Sequence, residues 1–295
     1  MRLIVSFKTI LITQHCKCSF KNGYLCVRVD DGTTKYFLDD IETVIVDTLQ
    51  ASITSYLLTE LTTRKINVYL CDSAHNPVSQ VMPLYGAHNS SKKIVDQLNW
   101  GLPIKKRVWQ AVIINKIYQQ ARVLEYMDKR EAKHLFNMMK ETKSGDTTMQ
   151  EASAARKYFA CLFGPEFTRD ADTQINACLN YGYAVLLSTV NKEIVSRGYL
   201  TQMGINHKNE YNQFNLTCDF MEPFRPVIDR LILDNFNGSL DDPMRFVLCN
   251  FTSNRVLYND GEYKIGSVIS LFVQDCIRAL NREIDVSDIK GYEML

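Results

Sequence analysis

Between positions 204 and 226 the chain reads GINHKNEYNQFNLTCDFMEPFRP, which places the imidazole of His207 and the carboxylates of Asp219 and Glu222 within sixteen residues. Nitrogen and oxygen donors in this combination suit a divalent metal that handles phosphates, the nitrogen favouring Mn²⁺ or Zn²⁺ over the all-oxygen sites of Ca²⁺. A spacing of three turns the carboxylates of Asp219 and Glu222 to one face of a helical turn. A metal cage needs a further ligand from elsewhere, and Glu151, the first residue of the alanine-rich helix EASAARKYFACLFG, is the candidate. Each group also has a structural explanation. Thr148-x-x-Glu151 reads as a capping box. Asp219 and Glu222, followed by Pro223 and Pro226, read as the start of the helix through Val227, Ile228, Leu231 and Ile232. His207, in a Gly/Asn-rich loop, reads as a surface histidine. On spacing alone both readings stay open.

The elements that must position these groups divide the chain in two. Asn22-Gly23 and Asp31-Gly32 are hairpin turns within a β-meander, Thr43–Val46 and Ile66–Leu70 are further strands, and Leu3–Phe7 alternates as another. Residues 52–63 have the spacing of a short helix. Polar residues 83–100 connect this part to a helical one. From Pro103 the stripe Val108, Trp109, Val112, Ile113 and Ile117 repeats at three and four, with Lys105, Lys106, Arg107 and Lys116 off it. Leu179–Val195, stopped by Gly198, and Ile265–Leu280 form two more apolar stripes. The reading is an α+β fold: a small β-rich N-terminal domain at 1–84, a linker at 85–102, and a larger all-α domain at 103–295.

Composition narrows the class. With 295 residues, 46% hydrophobic and 23% charged, the chain can bury a sizeable core. Nine cysteines, an odd number without repeating spacing, indicate reduced thiols in a cytoplasm, and no apolar run is long enough for a membrane helix. Cys71 and His75 lack the partners of a zinc site, since Cys16 and Cys18 are one residue apart and are expected to face opposite sides of a strand. Neither GxxxxGK[ST] nor GxGxxG occurs. The net charge of +1 hides an asymmetry: residues 92–143 carry 12 basic and 5 acidic side chains, and residues 144–295 carry 14 and 20. The basic middle fits phosphate contacts and the acidic remainder fits metal ligands, with a solvated helical face as the alternative.

Three blocks, EASAARKYFACLFG, LNYGYAVLLS at 179–188 and the 204–226 stretch, resemble the signature blocks of the CRISPR-associated integrase, the spacer-acquisition protein, in its type II branch. The resemblance runs over nearly the whole chain, because the β-rich first part, CDSAHNP and the basic helical middle follow in the family's order. It implies a homodimer, with dimerisation through the β-rich domain and catalysis in the helical one. It places the family's metal-binding glutamate on Glu151, its histidine on His207 and its second acid on Glu222, where many members carry aspartate, with Asp219 as a further catalytic acid and direct-ligand alternative. Mg²⁺ or Mn²⁺ is the implied cofactor, and Tyr158, Asn180 and Tyr183 fall in the same blocks. The implied reaction is attack by the 3′-hydroxyl of a captured double-stranded DNA fragment on a phosphodiester at the edge of a CRISPR repeat. Arg156, Lys208 and Arg225 are the implied cations near the reacting phosphate. Lys105, Lys106, Arg107, Arg122, Lys129 and Arg130 would hold DNA through its backbone. A smaller acquisition protein and the type II effector nuclease are the implied partners, in the cytoplasm and without a membrane. Two other classes use the same residues: a metal-dependent endonuclease on branched or single-stranded DNA, and a non-catalytic DNA-binding scaffold of the adaptation complex.

Overall fold

The computed structural model describes residues 8–73, 75, 77–83 and 87–295; the strand expected over Leu3–Phe7 lies outside them. The first region contains β1 (Lys8–Ile12), β2 (Cys16–Lys21), β3 (Tyr24–Val29), β4 (Gly32–Phe37), β5 (Ile41–Val46), β6 (Ala51–Ile53), α1 (Ser55–Thr63), β7 (Asn67–Cys71) and β8 (Pro77–Val81). Its strands form two four-stranded sheets, ordered β1-β5-β7-β8 and β4-β3-β2-β6. The meander β2-β3-β4 is antiparallel. Asn22 and Gly23 both take left-handed backbone angles, φ 52° and 83°, as the two-residue turn that suits strand twist requires. In the other sheet β1, β5 and β7 run parallel, and the β-branched run IETVIV of β5 is buried almost throughout.

Two local expectations need correction. Residues 51–53 extend as β6, parallel to β2, and the helix begins only at Ser55, where the Thr54 hydroxyl accepts the Leu57 N–H. Cys16 and Cys18 lie on one buried face of β2 with their sulfurs 3.6 Å apart, as the period of two in a strand dictates, and not on opposite faces.

The second region contains α2 (Ser90–Leu98), α3 (Leu102–Tyr126), α4 (Ala132–Glu141), α5 (Gln150–Phe163), α6 (Gln174–Ser196), α7 (Asn215–Met221), α8 (Arg225–Asn235), α9 (Asp242–Cys249) and α10 (Ile265–Leu280). A β-rich part followed by a helical part is therefore the observed order. One addition that periodicity did not announce is an antiparallel sheet, β10-β9-β11, from β9 (Arg255–Tyr258), β10 (Gly261–Lys264) and β11 (Glu293–Met294). Its Asn259-Asp260 turn repeats the left-handed pair seen at Asn22-Gly23, with φ 48° and 61°. The polar stretch before α3 is not open chain: α2 docks through Gln97, whose buried amide bonds the Leu200 N–H and carbonyl.

The 25-residue α3 organises the helical region, lying against α4, α5, α8, α10 and the single turn Glu222–Phe224. Behind it α6 and α8 approach closely at Gly182, where a Cβ would stand 2.4 Å from the Ile228 methyl carbon, so no larger residue fits without moving a helix. The two regions are tied by buried polar contacts. Arg245 of α9 reaches Asp47, just beyond β5, at 3.1 Å, and Asn191 of α6 reaches Gln80 of β8 at 2.8 Å.

Candidate functional site

The site forms where α3, α5 and the turn after α7 converge on Lys116. On the apolar stripe of α3, position 116 falls three after Ile113 and one before Ile117, so the lysine faces inward and is only 6% exposed. This corrects its assignment to the polar face. A buried ammonium requires compensating charge, which arrives from two distant positions. Its Nζ stands 2.7 Å from Glu151 Oε1 and 2.5 Å from Glu222 Oε2.

Glu151 is free to make this contact because another residue caps α5. Asp146 accepts the N–H groups of Gln150 and Glu151 at 2.8 and 3.0 Å, and Met149, with a left-handed φ of 52°, occupies the N-cap. The Thr148–Glu151 capping box is not formed. Glu222 lies in the turn Glu222–Phe224, which is clamped by Tyr292: its hydroxyl donates to the Pro223 carbonyl at 2.8 Å and its ring stacks on Phe224. The second Glu222 oxygen accepts Arg225 Nε at 2.9 Å, and that guanidinium lies 4.5 Å from the Tyr183 ring centre. Burial pushes the Glu222 carboxyl up, but Arg225 and Lys116 outweigh it and bring it down to about 2. Lys116 is pushed down by burial, yet Glu222 and Glu151 together hold it above its ordinary value.

Asp219, on α7, is fully buried and spends both oxygens on the loop before it. It accepts the N–H groups of Ile205, Asn206 and His207 at 2.6, 3.1 and 3.0 Å, and lies 2.7 Å from His207 Nδ1. Gly204 makes this wrapping possible, since a Cβ there would stand 2.3 Å from the His207 carbonyl oxygen and 2.9 Å from Asp219 Oδ2. The imidazole also meets the Trp109 ring edge-on at 5.8 Å. The Asp219 hydrogen bond raises the His207 pKa, burial opposes this, and Glu222 and Glu151 add to the rise. With Nδ1 engaged, Nε2 is the nitrogen left for a ligand.

A fourth acid lies behind Arg225. Asp229 accepts the hydroxyls of Tyr158 at 2.9 Å and Tyr183 at 2.5 Å in full burial. Burial raises its carboxyl to about 6 against the lowering effect of those hydroxyls. Asn180 faces outward and accepts a hydrogen bond from Arg169 at 2.7 Å. Lys116, Asp229 and Trp109 have no functional part in the sequence reading. For Lys116 the signal was present, a lysine at the repeat of an apolar stripe; Asp229, four after Arg225, imitates a surface ion pair.

The phosphate-binding candidates separate. Arg225 turns inward to Glu222, Arg156 and Lys208 are exposed, Arg107 pairs with Asp285 at 3.2 Å, and Arg122 pairs with Glu125 at 2.5 Å. Lys105, Lys106 and Arg107 sit in the first turns of α3, whereas Arg122 lies near its far end and Lys129 and Arg130 just beyond. At about 1.5 Å per residue, roughly 22 Å separates Arg107 from Arg122, so these charges make two patches.

Among the described residues no three His, Cys, Asp or Glu side chains gather at one metal-ligand point. What the geometry does supply is a pair of carboxylates converging on one positive centre, with Glu222 Oε2 buried and lacking an aligned hydrogen bond although it touches Lys116. Hard oxygen donors of this kind fit Mg²⁺ or Mn²⁺, and His207 Nε2 is of a type that fits Mn²⁺ as a further ligand. Asp219 has its oxygens committed to the loop amides and to the imidazole of His207.

Comparison with known proteins follows the same lines. A family model described as CRISPR associated protein Cas1 matches residues 9–250. The CRISPR-associated endonuclease Cas1 of Neisseria meningitidis serogroup C is 35% identical over 230 residues, 78% of this chain and 76% of that one. A second such endonuclease, from Saccharolobus solfataricus, is 26% identical over 239 residues, with 78% and 76% covered. Among solved structures, a casposase bound to its integration product superposes with a TM-score of 0.77 at 19% identity, over 95% of this chain and 92% of that one. A Cas1 protein from Thermotoga maritima gives 0.69 at 17% identity, over 92% and 97%. A Cas6-RT-Cas1–Cas2 complex chain gives 0.71 at 19% identity, over all of this chain and 37% of that one.

Proposed function

The chain belongs to the Cas1 family of CRISPR-associated proteins, and from that premise we propose that it is a metal-dependent DNA integrase that inserts spacer DNA into a CRISPR array. The observation that carries the reading is the convergence of Glu151 and Glu222, 71 positions apart in the chain, on a single cationic centre beside His207. Glu151, Glu222 and His207 would hold Mg²⁺ or Mn²⁺, which supplies charge stabilisation to the phosphoryl oxygens and lowers the pKa of an attacking hydroxyl. In the reaction a DNA 3′-oxygen forms a new bond to phosphorus, its proton passes to solvent, and the displaced 3′-oxygen of the target strand leaves and takes a proton. No water is consumed.

The protein's own part is positioning. Asp219 orients the imidazole, Arg225 orients Glu222, and the Asp229–Tyr158–Tyr183 cluster supports the ring on which Arg225 lies. Arg156 and Lys208, exposed on α5 and on the His207 loop, would meet DNA phosphates. We assign the β-rich residues 1–84 to dimerisation, 85–102 to the connection and 103–295 to catalysis. The smaller partner is supported by the Cas6-RT-Cas1–Cas2 complex among the structural neighbours, and double-stranded DNA as substrate is in keeping with the casposase bound to its integration product. The type II effector nuclease and a cytoplasmic setting complete the proposal; among the described residues no helix is long and apolar enough to cross a membrane.

Hydrolytic cleavage by the same site is the second reading, favoured by the name endonuclease carried by the Neisseria relative. Short duplex DNA, a supercoiled plasmid bearing a CRISPR repeat, the smaller partner and Mn²⁺ separate the two. Covalent joining is the expected result, abolished by chelator. Cutting without joining would replace integrase by nuclease, and activity in chelator would remove the metal from the reading.

A further inference from the structure

Lys116 is a charged group that the family blocks do not include, and it is the most deeply buried lysine among the described residues. Its Nζ lies at ion-contact distance from both Glu151 and Glu222. With Arg225 on the other Glu222 oxygen, the cluster contains two cations and two anions and sums to zero. A divalent cation entering between the same oxygens adds two positive charges to a buried, already neutral group. Such an addition is opposed by like-charge repulsion at a few ångströms in a medium less polar than water. Arg225 is not the group to yield, because it is held by Tyr183 as well as by Glu222. Lys116 is tied only through its terminal nitrogen, on a flexible four-carbon stem, and its partner Glu151 is partly open to solvent.

We propose that Lys116 is a tethered cation that holds Glu151 and Glu222 together in the metal's place and is displaced when the metal binds. The proposal rests on the metal reading given above and extends it to a residue outside the ligand set. The lysine keeps two carboxylates from repelling one another and from recruiting stray cations. Its displacement costs the site some metal affinity, and delivers an ammonium to the edge of the place where phosphate oxygens must sit.

The test uses chelator-treated full-length protein without DNA. Mn²⁺ binding is measured by calorimetry for wild type, Lys116→Met, and Glu151→Ala as a ligand-deleted control. Separately, wild-type lysines are labelled by reductive methylation with and without Mn²⁺ and mapped by mass spectrometry. Displacement gives binding about tenfold or more tighter in Lys116→Met, and Lys116 labelling that rises several-fold when Mn²⁺ is added. Binding to Lys116→Met alone overturns displacement, because the wild-type lysine then excludes the metal. Mn²⁺ binding to wild type with Lys116 still protected overturns this inference and leaves the metal reading standing. No binding to either protein overturns both. If Lys116→Met does not fold, labelling of wild type decides alone.

Discussion

Two buried aspartates in this molecule grip a histidine in the same manner, and the pairs differ in what else the aspartate holds. Asp219 lies 2.7 Å from His207 Nδ1 in the helical region, and Asp47 lies 2.8 Å from His75 Nδ1 in the β-rich region. Both carboxylates are inaccessible and both imidazoles are partly exposed. Around Asp219 the remaining acceptor capacity goes to three loop amides, and Glu151 and Glu222 lie close enough to raise the imidazole's pKa. Around Asp47 it goes to Arg245, which also pairs with Asp242, so the cluster joins two regions of the fold. An acid–imidazole pair is thus no marker of chemistry by itself. What surrounds it decides whether it holds a ligand or holds the protein together.

The comparison breaks most visibly if the two histidines prove equivalent. Glu151→Ala or His207→Ala is expected to lower strand joining at least a hundredfold, from loss of metal stabilisation worth several kcal/mol, with DNA binding retained in a mobility-shift assay. His75→Ala should stay within about twofold of wild type in the same gel-based joining assay. Equal losses at His75 and His207 would sink the distinction. Arg245→Met tests the structural half: it leaves the buried Asp47 carboxylate without its guanidinium and should cost about 3 kcal/mol in urea unfolding, without changing joining per folded molecule. A stability change below about 0.5 kcal/mol would show that Arg245 is not needed there.

Asp219→Asn sharpens the other half. Loss of an outer carboxylate should reduce joining or Mn²⁺ affinity about 10–100-fold and lower the pKa of His207, read from the ring resonances in an NMR titration. An unchanged histidine titration would remove Asp219 from its positioning role. The smallest effect belongs to a third buried aspartate, Asp229, which takes tyrosine hydroxyls where the others take imidazoles. Its folded carboxyl is raised from 3.8 to about 6, so the folded state binds this proton more tightly than the unfolded chain does. Its stabilising contribution is complete below about pH 4 and is lost as pH rises through 6. Glu222, lowered to about 2, loses its own contribution only as pH falls below its ordinary 4.5, which leaves pH 4.5–6.5 to Asp229. Across that window wild type should gain stability relative to Asp229→Asn as pH falls; a gain in the opposite direction would refute the assignment.

Features set by neighbouring residues were legible in the sequence. Asn22-Gly23 marked its hairpin, the three apolar stripes marked α3, α6 and α10, and Gly198 marked the end of α6. Features set by distant partners were not. The burial of Lys116 depends on Glu151 and Glu222, 35 and 106 positions away, and without visible compensation a lysine reads as lying off the apolar stripe. Thr148-x-x-Glu151 fits a capping box, but Asp146 satisfies the helix amides from one turn earlier. The contrast between Asp219 and Glu222 was likewise hidden, because the amides that occupy Asp219 come from a loop whose path the local sequence does not specify. The family blocks brought Glu151, His207 and Glu222 into one list; the structure relates the glutamates through a lysine that no block includes.

For a lineage changing one codon at a time, Gly204 is a one-way door. A methyl group there collides with the main-chain oxygen of His207, an atom that stays whatever residue occupies 207. No compensating side-chain substitution at 207 can remove that oxygen, so the descendant must move the loop off Asp219 and surrender the imidazole's anchor, or revert. A catalogue of reactive groups would pass over this position, and yet the missing carbon is as much a part of the histidine's placement as the aspartate it lets the chain embrace.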